Sequence, residues 1–175
     1  LDVDISLNNR LAIHNSEMLK SYAQEERLQR LVQMVKYWAS RRGINNAFEG
    51  TLSSYAWTLL AIQHAQLVQP PLAPNRQRGA ESNQVSIKDA TYDIGFDNGR
   101  YATENNQSLA SLLISFFDRF ATRWDWENMV VSIRNGDALT TKAKKWQHTG
   151  PLPLEVVTGA DDGWMEHVMP IEDPF

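Results

Sequence analysis

The amino-acid sequence predicts a mainly α-helical fold with small β elements (α+β), and two patterns support this class. Apolar residues recur at helical spacing in three long stretches, residues 21–42, 53–68 and 107–124. Two short β-prone runs, 129–133 and 138–141, flank Asn135-Gly136-Asp137 and predict a β-hairpin, because Asn-Gly suits a tight turn. With 175 residues, of which 42% are apolar, the chain can bury the core of one domain, or of one domain and part of another.

The first two helices are predicted from the residues at their ends. A first helix is expected from Arg10 to Tyr22, and Ser21 is a suitable N-cap for a second helix that extends to about Arg42. Gly43 ends this second helix, because glycine readily adopts the left-handed conformation that follows a helix. The predicted core stripe of the second helix is Leu28, Leu31, Val32, Val35, Trp38 and Ala39.

The third helix follows a loop, Asn45 to Gly50, and either Thr51 or Ser53 is expected to cap it. Proline at position 70 closes it. Residues 73–88 are predicted to form a mobile polar loop. Five basic residues are interpreted either as RNA contacts or, equally, as solvated side chains: Arg76, Arg78, Lys142, Lys144 and Lys145.

Composition limits the class of function. The net charge of −4 argues against a broad basic surface for nucleic acid, although a local basic patch is compatible with it. The absence of cysteine excludes disulfide bonds and cysteine-based zinc sites. The four histidines lack metal-ligand spacing, so a bound metal is expected to be a hard cation such as magnesium, held by oxygen ligands.

The longest apolar run, residues 55–62, is too short to span a bilayer, so no membrane partner is expected. The chain begins without Met in strand-like sequence, and we expect it to be a piece of a longer protein. No targeting segment is visible. The compartment is left open between the cytoplasm and the mitochondrion.

Two stretches suggest phosphate chemistry. Asp2 and Asp4 lie on one face of a predicted strand, which suits a metal-assisted phosphoryl-transfer site, but a solvated strand edge gives the same pattern. Residues 50–55 place a glycine and hydroxyl groups, including Ser53 and Ser54, at the start of an apolar helix. Such a helix start is a ready anion site. A plain N-cap without a ligand is the alternative.

Three further side chains each allow two interpretations. Tyr55 could stack on a nucleobase or belong to the core. Lys36 could reach a triphosphate or extend its charged end from the helix surface into solvent. Lys36 and Ser40 are four residues apart and therefore share one helix face.

Six blocks of sequence occur in order along nearly the whole chain. They are Asp4-Ile5-Ser6-Leu7-Asn8-Asn9, Leu11-Ala12-Ile13-His14-Asn15-Ser16, Val35-Lys36-Tyr37-Trp38-Ala39, Gly50-Thr51-Leu52-Ser53-Ser54-Tyr55, Pro70-Pro71-Leu72-Ala73-Pro74-Asn75 and Ile171-Glu172-Asp173-Pro174-Phe175. Together they resemble the terminal uridylyltransferases and their sister noncanonical poly(A) polymerases, which are polymerase-β-like nucleotidyltransferases. Six blocks in order are more specific than any one of them.

The resemblance implies a bilobal enzyme with its active site between a palm and a helical domain. Residues 1–9 resemble the last catalytic strand of the palm, and residues 10–175 resemble the helical, poly(A)-polymerase-associated, nucleotide-binding domain. Asp4 matches the third catalytic carboxylate, which helps hold Mg²⁺, or Mn²⁺, near the attacking 3′-hydroxyl. Asp2 has no catalytic counterpart. The paired palm carboxylates are absent from the chain, so we expect it to be inactive alone.

The resemblance also implies nucleotide contacts. Those near the ribose and the uracil edge are Asn9, Asn15 and Ser16. Lys36 and Ser54 match contacts near the triphosphate. Two further residues are expected beside them: Ser53 of the anion site, and Ser40, at a position where many members of the family carry a second Lys. Those near the base are Tyr55, which would stack on it, and the acidic residue Asp173 with Glu172 beside it.

The predicted function is transfer of UMP from UTP to an RNA 3′-hydroxyl, with release of pyrophosphate. A poly(A) polymerase that uses ATP is the close alternative, and the His14-Asn15-Ser16 form of its block favours UTP. A noncatalytic scaffold that binds RNA or a protein partner is the alternative from another class.

Overall fold

A computed structural model describes residues 9–87, 90–126, 128–135, 139–140 and 171–174. Its four α-helices are α1 (Arg10–Tyr22), α2 (Glu26–Arg41), α3 (Ser54–Leu67) and α4 (Leu109–Asp118). Its strands form two antiparallel hairpins, β1 (Gln84–Ile87) with β2 (Ala90–Asp93), and β3 (Met129–Val130) with β4 (Leu139–Thr140). The predicted mainly helical α+β class is confirmed. None of the described helices is long and apolar enough to cross a membrane.

The α1 helix has the predicted bounds, but the predicted cap of α2 is wrong. Ser21 lies inside the last turn of α1, where its Oγ donates to the Met18 carbonyl over 2.6 Å. Glu25 caps α2 instead, because its carboxylate accepts from the Arg27 backbone N–H at 3.3 Å. The hydroxyl of Ser21 is therefore occupied within its own helix and does not cap the next one.

Of the two predicted caps of α3, Thr51 and Ser53, the observed cap is Ser53, whose Oγ accepts from the backbone N–H of Ala56 at 3.1 Å. The Thr51 hydroxyl instead makes two bonds with Asn46, accepting from its N–H at 2.8 Å and donating to its carbonyl at 2.9 Å. These bonds close the loop that precedes α3. The loop contains a 3-10 turn, Ala47–Glu49, which ends at Gly50 with φ of 75°. The start of α3 is thus fixed by short-range contacts.

The α3 helix lies at the centre of the core and packs against α2, which also packs against α4. Trp38 of α2 bridges the two neighbours, since its ring lies 5.8 Å from the Trp57 ring and 4.7 Å from the Phe117 ring, both edge-on. The predicted stripe of α2 faces this core: four members are buried and Val32 and Trp38 are partly buried. The helix predicted at 107–124 is confirmed in its extent, but only Leu109–Asp118 is α-helical, and the segment Arg119–Arg123 that follows is π-helical.

The prediction of a mobile polar loop at 73–88 is wrong at two places, although residues 73–83 have no regular secondary structure, as predicted. The segment ends in β1, and Arg76 is only 3% exposed. Its guanidinium donates to three carbonyls, those of Ser21 at 2.9 Å, Asp97 at 2.9 Å and Gly99 at 2.8 Å. Because a buried cation needs such acceptors, Arg76 fixes the loop to the end of α1 and does not act as a solvent-exposed RNA contact.

The second predicted hairpin is confirmed in part: Met129 pairs with Thr140 and Val130 with Leu139, so each strand has two residues where 129–133 and 138–141 were expected. Its turn, residues 136–138, lies outside the described residues, as do Lys142, Lys144 and Lys145. Val131, directly after β3, forms a parallel bridge with Ile171. This bridge brings the segment 171–174 back to the helical core.

Candidate nucleotide-binding site

Three of the predicted nucleotide-binding residues come together from distant parts of the sequence. Asn15 of α1 donates a hydrogen bond from Nδ2 to Oδ1 of Asp173 over 3.3 Å. Tyr55 lies in the first turn of α3, and burial together with the nearby negative charge of Asp173 raises the pKa of its phenol. Asn15, Tyr55 and Asp173 therefore form one polar group where α1, α3 and the segment 171–174 meet.

Two atoms of this group are buried without a hydrogen-bond partner among the described residues: Oδ1 of Asn15 and the hydroxyl of Tyr55. A buried polar atom left unpaired costs about 1–3 kcal/mol, so such atoms are typical of places that receive a ligand. Oδ1 of Asn15 accepts a hydrogen bond, whereas the hydroxyl can donate one. Oδ1 of Asn15 is thus complementary to a group that carries an N–H, as a nucleobase edge does.

The segment that carries Asp173 is held by backbone and side-chain bonds. The N–H of Glu172 donates to the Val131 carbonyl at 2.8 Å. Nδ2 of Asn135 donates to the Glu172 carboxylate at 3.2 Å, and Glu172 is 7% exposed. Because neighbouring residues of an extended segment point to opposite sides, Glu172 is directed to Asn135 while Asp173 meets Asn15. The nucleotide contact of Glu172 stays a prediction.

Asn9 and Ser16 lie on a different face of α1 from Asn15. Oδ1 of Asn9 caps the helix by accepting from the Ala12 N–H at 3.2 Å, and Oγ of Ser16 donates to the Ala12 carbonyl at 2.7 Å. Both residues line an open groove of about 620 Å³ along this exposed face, together with Arg10, Ala12, Ile13, Glu17 and Lys20. The structure thus places Asn9 and Ser16 in this groove, apart from the half-buried group around Asp173, and their nucleotide contacts stay a prediction.

The predicted triphosphate residues lie on α2 and at the start of α3. Lys36 and Ser40 are both exposed, one turn apart and away from the core stripe of α2. At α3, the Ser53 hydroxyl is already used by the Ala56 N–H, which agrees with the plain N-cap. The preceding N–H groups, those of Ser54 and Tyr55, have no acceptor within the helix and remain available for an anion.

The predicted metal ligand, Asp4, lies outside the described residues, and its role stays a prediction. In the part of the chain that the structure describes, no group of three or more His, Asp or Glu side chains could hold a metal ion. His64 in particular is fully buried and bonded to Ser115 and Arg119, so it serves the core.

Sequence reasoning did not single out two residues that fix the segment 171–174. Asn135 belongs to the predicted hairpin turn, and Gln77 belongs to the predicted loop. Gln77 donates from Nε2 to the carbonyl of Pro174 over 2.8 Å, across 97 residues of sequence. No local pattern marks such contacts, although the block at 70–75 ends two residues before Gln77.

Comparisons with known proteins agree with the resemblance. Residues 108–175 match the family described as Cid1 family poly A polymerase. Terminal uridylyltransferase cid1 of Schizosaccharomyces pombe is 36% identical over 182 residues, which cover 98% of this chain and 43% of that protein. Poly(A) RNA polymerase GLD2 of Mus musculus is 30% identical over 178 residues, which cover 100% of this chain and 33% of that protein.

A crystal structure of the Cid1 poly(U) polymerase bound to MgGTP has a TM-score of 0.76 at 34% identity, covering 96% of this chain and 48% of that one. The chain therefore spans less than half of the length of these relatives. The sequence matches, the family model and the shared fold all point to one group. The chain belongs to the family of terminal uridylyltransferases and noncanonical poly(A) polymerases.

Proposed function

We propose that the protein containing this chain is an RNA 3′-terminal uridylyltransferase, and that this chain supplies most of its nucleotide-binding domain. The reaction is transfer of UMP from UTP to an RNA 3′-hydroxyl, with release of pyrophosphate. The observation that carries the proposal is the meeting of Asn15, Tyr55 and Asp173 in one half-buried group. The similarity to cid1, a terminal uridylyltransferase, supports it.

In the proposed function, Asn15, Tyr55 and Asp173 together recognise the base. The ring of Tyr55 stacks on the base, which contributes about 1–3 kcal/mol but does not distinguish one base from another. Discrimination then needs hydrogen bonds to the base edge. The amide of Asn15 is oriented by its bond to Asp173, so that Oδ1 is free to accept an N–H of the base.

The triphosphate is bound by charge and by backbone donors. Lys36 places an ammonium group on the exposed face of α2, and the first N–H groups of α3 lie at the positive end of the helix dipole. A divalent metal ion, as in the Mg-bound Cid1 structure, lowers the pKa of the attacking hydroxyl and neutralises phosphate charge when it is bound. Asp4 is the residue of this chain proposed to hold it.

Two other functions remain to be tested against this one. Use of ATP is supported by the 30% identity to GLD2, a poly(A) RNA polymerase. A noncatalytic scaffold that binds RNA or a partner would keep the same fold.

Terminal addition by the full-length protein to an RNA primer, measured with each of the four nucleotides, separates the three. We expect UTP to be preferred. Preference for ATP would establish the poly(A) alternative, and addition of no nucleotide would establish the scaffold. The Asp4→Asn variant should lose transfer while keeping the wild-type thermal midpoint, since the change removes charge but little volume. Near-normal transfer by Asp4→Asn would contradict the metal role.

A further inference from the structure

The loop that contains Gln77 is held rigidly by its own side chains. Oδ1 of Asn75 accepts from the N–H groups of Gln77 at 3.0 Å and of Arg78 at 2.9 Å. Nδ2 of Asn75 donates to the Arg134 carbonyl at 2.7 Å. Arg76, between Asn75 and Gln77, is buried and bonded to three carbonyls. The backbone of Gln77 is therefore held by contacts that do not involve its own side chain.

The side chain of Gln77 reaches the segment that carries Asp173. Its Nε2 donates over 2.8 Å to the carbonyl of the buried Pro174, the residue directly after Asp173. A carbonyl can only accept, so the amide must turn its nitrogen towards Pro174. This orientation leaves Oε1 of Gln77 buried without a partner among the described residues, which is a cost that the bond to Pro174 has to offset.

Asp173 is consequently held from both sides along the chain. On one side the Glu172 N–H is bonded to Val131 at 2.8 Å, and on the other the Pro174 carbonyl is bonded to Gln77 at 2.8 Å. A side chain is placed precisely enough for recognition only when its supporting contacts are fixed. The Pro174 carbonyl also accepts a longer bond from Nη1 of Arg134 at 3.4 Å, so Gln77 is the shorter of its two donors.

The same loop is also bonded to the helix that carries Asn15. Arg76 donates to the carbonyl of Ser21 at 2.9 Å, near the end of α1, whereas Asn15 lies in the middle of that helix. The three bonds form a closed ring. Arg76 bonds the loop to α1, Gln77 bonds the loop to Pro174, and Asp173 bonds back to Asn15 on α1. The loop 75–78 thus sets where the segment 171–174 lies relative to α1.

We propose that Gln77 is a positioning residue for base recognition. It acts through Asp173 on Asn15 and does not itself touch the nucleotide. Loss of its bond lets the segment 171–174 shift, so that the amide of Asn15 loses its fixed orientation. The inference rests on the proposed nucleotide-transfer function.

The test uses the full-length protein with the Gln77→Met variant, which keeps the length of the side chain but removes the donor. The KM for UTP should rise about three- to tenfold, as expected for the loss of one hydrogen bond. The kcat should stay within about twofold of wild type, because only binding is affected. The matched control is Gln84→Met, since Gln84 is exposed on β1, and its KM should not change.

A double-mutant cycle decides whether Gln77 acts through Asp173. In the Asp173→Asn background, Gln77→Met should raise KM by less than about twofold further, because the group it positions is already altered. A full, additive effect would overturn the positioning role, as would an unchanged KM in the single variant. A fall in kcat with unchanged KM would indicate a structural role only and would also overturn it. A wild-type protein that transfers no nucleotide would instead overturn the proposed function, and the inference with it.

Discussion

Arg119 donates a hydrogen bond from Nε to Nδ1 of His64 over 3.1 Å, inside the core between α3 and α4. Because Nδ1 accepts, the proton of the neutral imidazole is on Nε2, which lies 3.0 Å from Oγ of Ser115. Ser115 in turn donates to the Leu112 carbonyl at 3.1 Å. A second proton on His64 would have to face the guanidinium of Arg119. Burial, and then the charge of Arg119, lower the pKa of His64 to about 4.

This arrangement predicts that stability falls on mild acidification. In the unfolded chain the pKa of His64 returns to its ordinary value of 6.5. Between about pH 6.5 and pH 4, His64 is therefore protonated in the unfolded chain but neutral in the folded one. The free energy of unfolding should therefore drop by about 2 kcal/mol between pH 7.5 and pH 5 from this residue alone. Denaturant titrations of the full-length protein at the two pH values measure it.

The control for this prediction is His64→Gln, which puts a neutral amide in place of the imidazole and cannot titrate. It should be less stable than wild type at pH 7.5, yet it should lose about 2 kcal/mol less on going to pH 5. The same pH dependence in both proteins would show that other groups are responsible.

Replacement of Asn15 by Asp should weaken nucleotide binding more than replacement by Ala. The new carboxylate would face Asp173 across the present 3.3 Å contact, and two like charges at that distance repel each other. We expect the KM for UTP to rise by at least about tenfold in Asn15→Asp, corresponding to 1.4 kcal/mol or more. Asn106→Asp, at an exposed position before α4, is the matched control. Equal effects of Asp and Ala at position 15 would contradict a role for the Asp173 contact.

Tyr55 offers a test that separates stacking from core packing. Its hydroxyl has no partner among the described residues, so Tyr55→Phe should keep both the thermal midpoint and stacking. Tyr55→Ala should weaken nucleotide affinity by about 1–3 kcal/mol if the ring stacks on the base. Calorimetric titration with a nonhydrolysable UTP analogue measures this affinity, with Tyr37→Ala, which removes a 69% exposed ring, as control. If Tyr55→Ala lowers only the thermal midpoint, Tyr55 is a core residue.

Substitutions at Lys36 and at Ser40 should change the affinity for the triphosphate in opposite directions. Lys36→Ala should raise the KM for UTP, whereas Ser40→Lys should lower it by about two- to fivefold, because a second ammonium would share the exposed face of α2. Inhibition by uridine, which has no phosphate, should be unchanged in both variants. Arg100→Ala serves as a control for the loss of an exposed cation. A matching change in uridine inhibition would argue against a triphosphate contact.

Local sequence patterns predicted the helices well, because capping and apolar periodicity act over a few residues. The bounds of α1 and the Ser53 cap of α3 follow from such short-range chemistry. The predicted Ser21 cap is wrong because a serine at a helix junction can bond to the preceding or the following helix, and here its hydroxyl donates to the Met18 carbonyl.

The long-range contacts escaped prediction for a physical reason. Arg76 is polar and surrounded by polar residues, which predicts an exposed loop, but its acceptors lie 21, 23 and 55 residues away along the chain. The group around Asp173 was anticipated only through the family resemblance. Its contact between Asn15 and Asp173 spans 158 residues, and no periodicity or spacing in the sequence specifies it.

The bonds that surround segment 171–174 have a practical consequence for protein engineering. Chimeras that exchange this segment between UTP-using and ATP-using relatives would separate it from Gln77, Val131 and Asn135. A graft of residues 171–174 alone would place foreign side chains against the native Gln77, Val131 and Asn135. Exchanges of nucleotide preference should therefore transplant the loop 75–78 and the β3 region together with the segment itself.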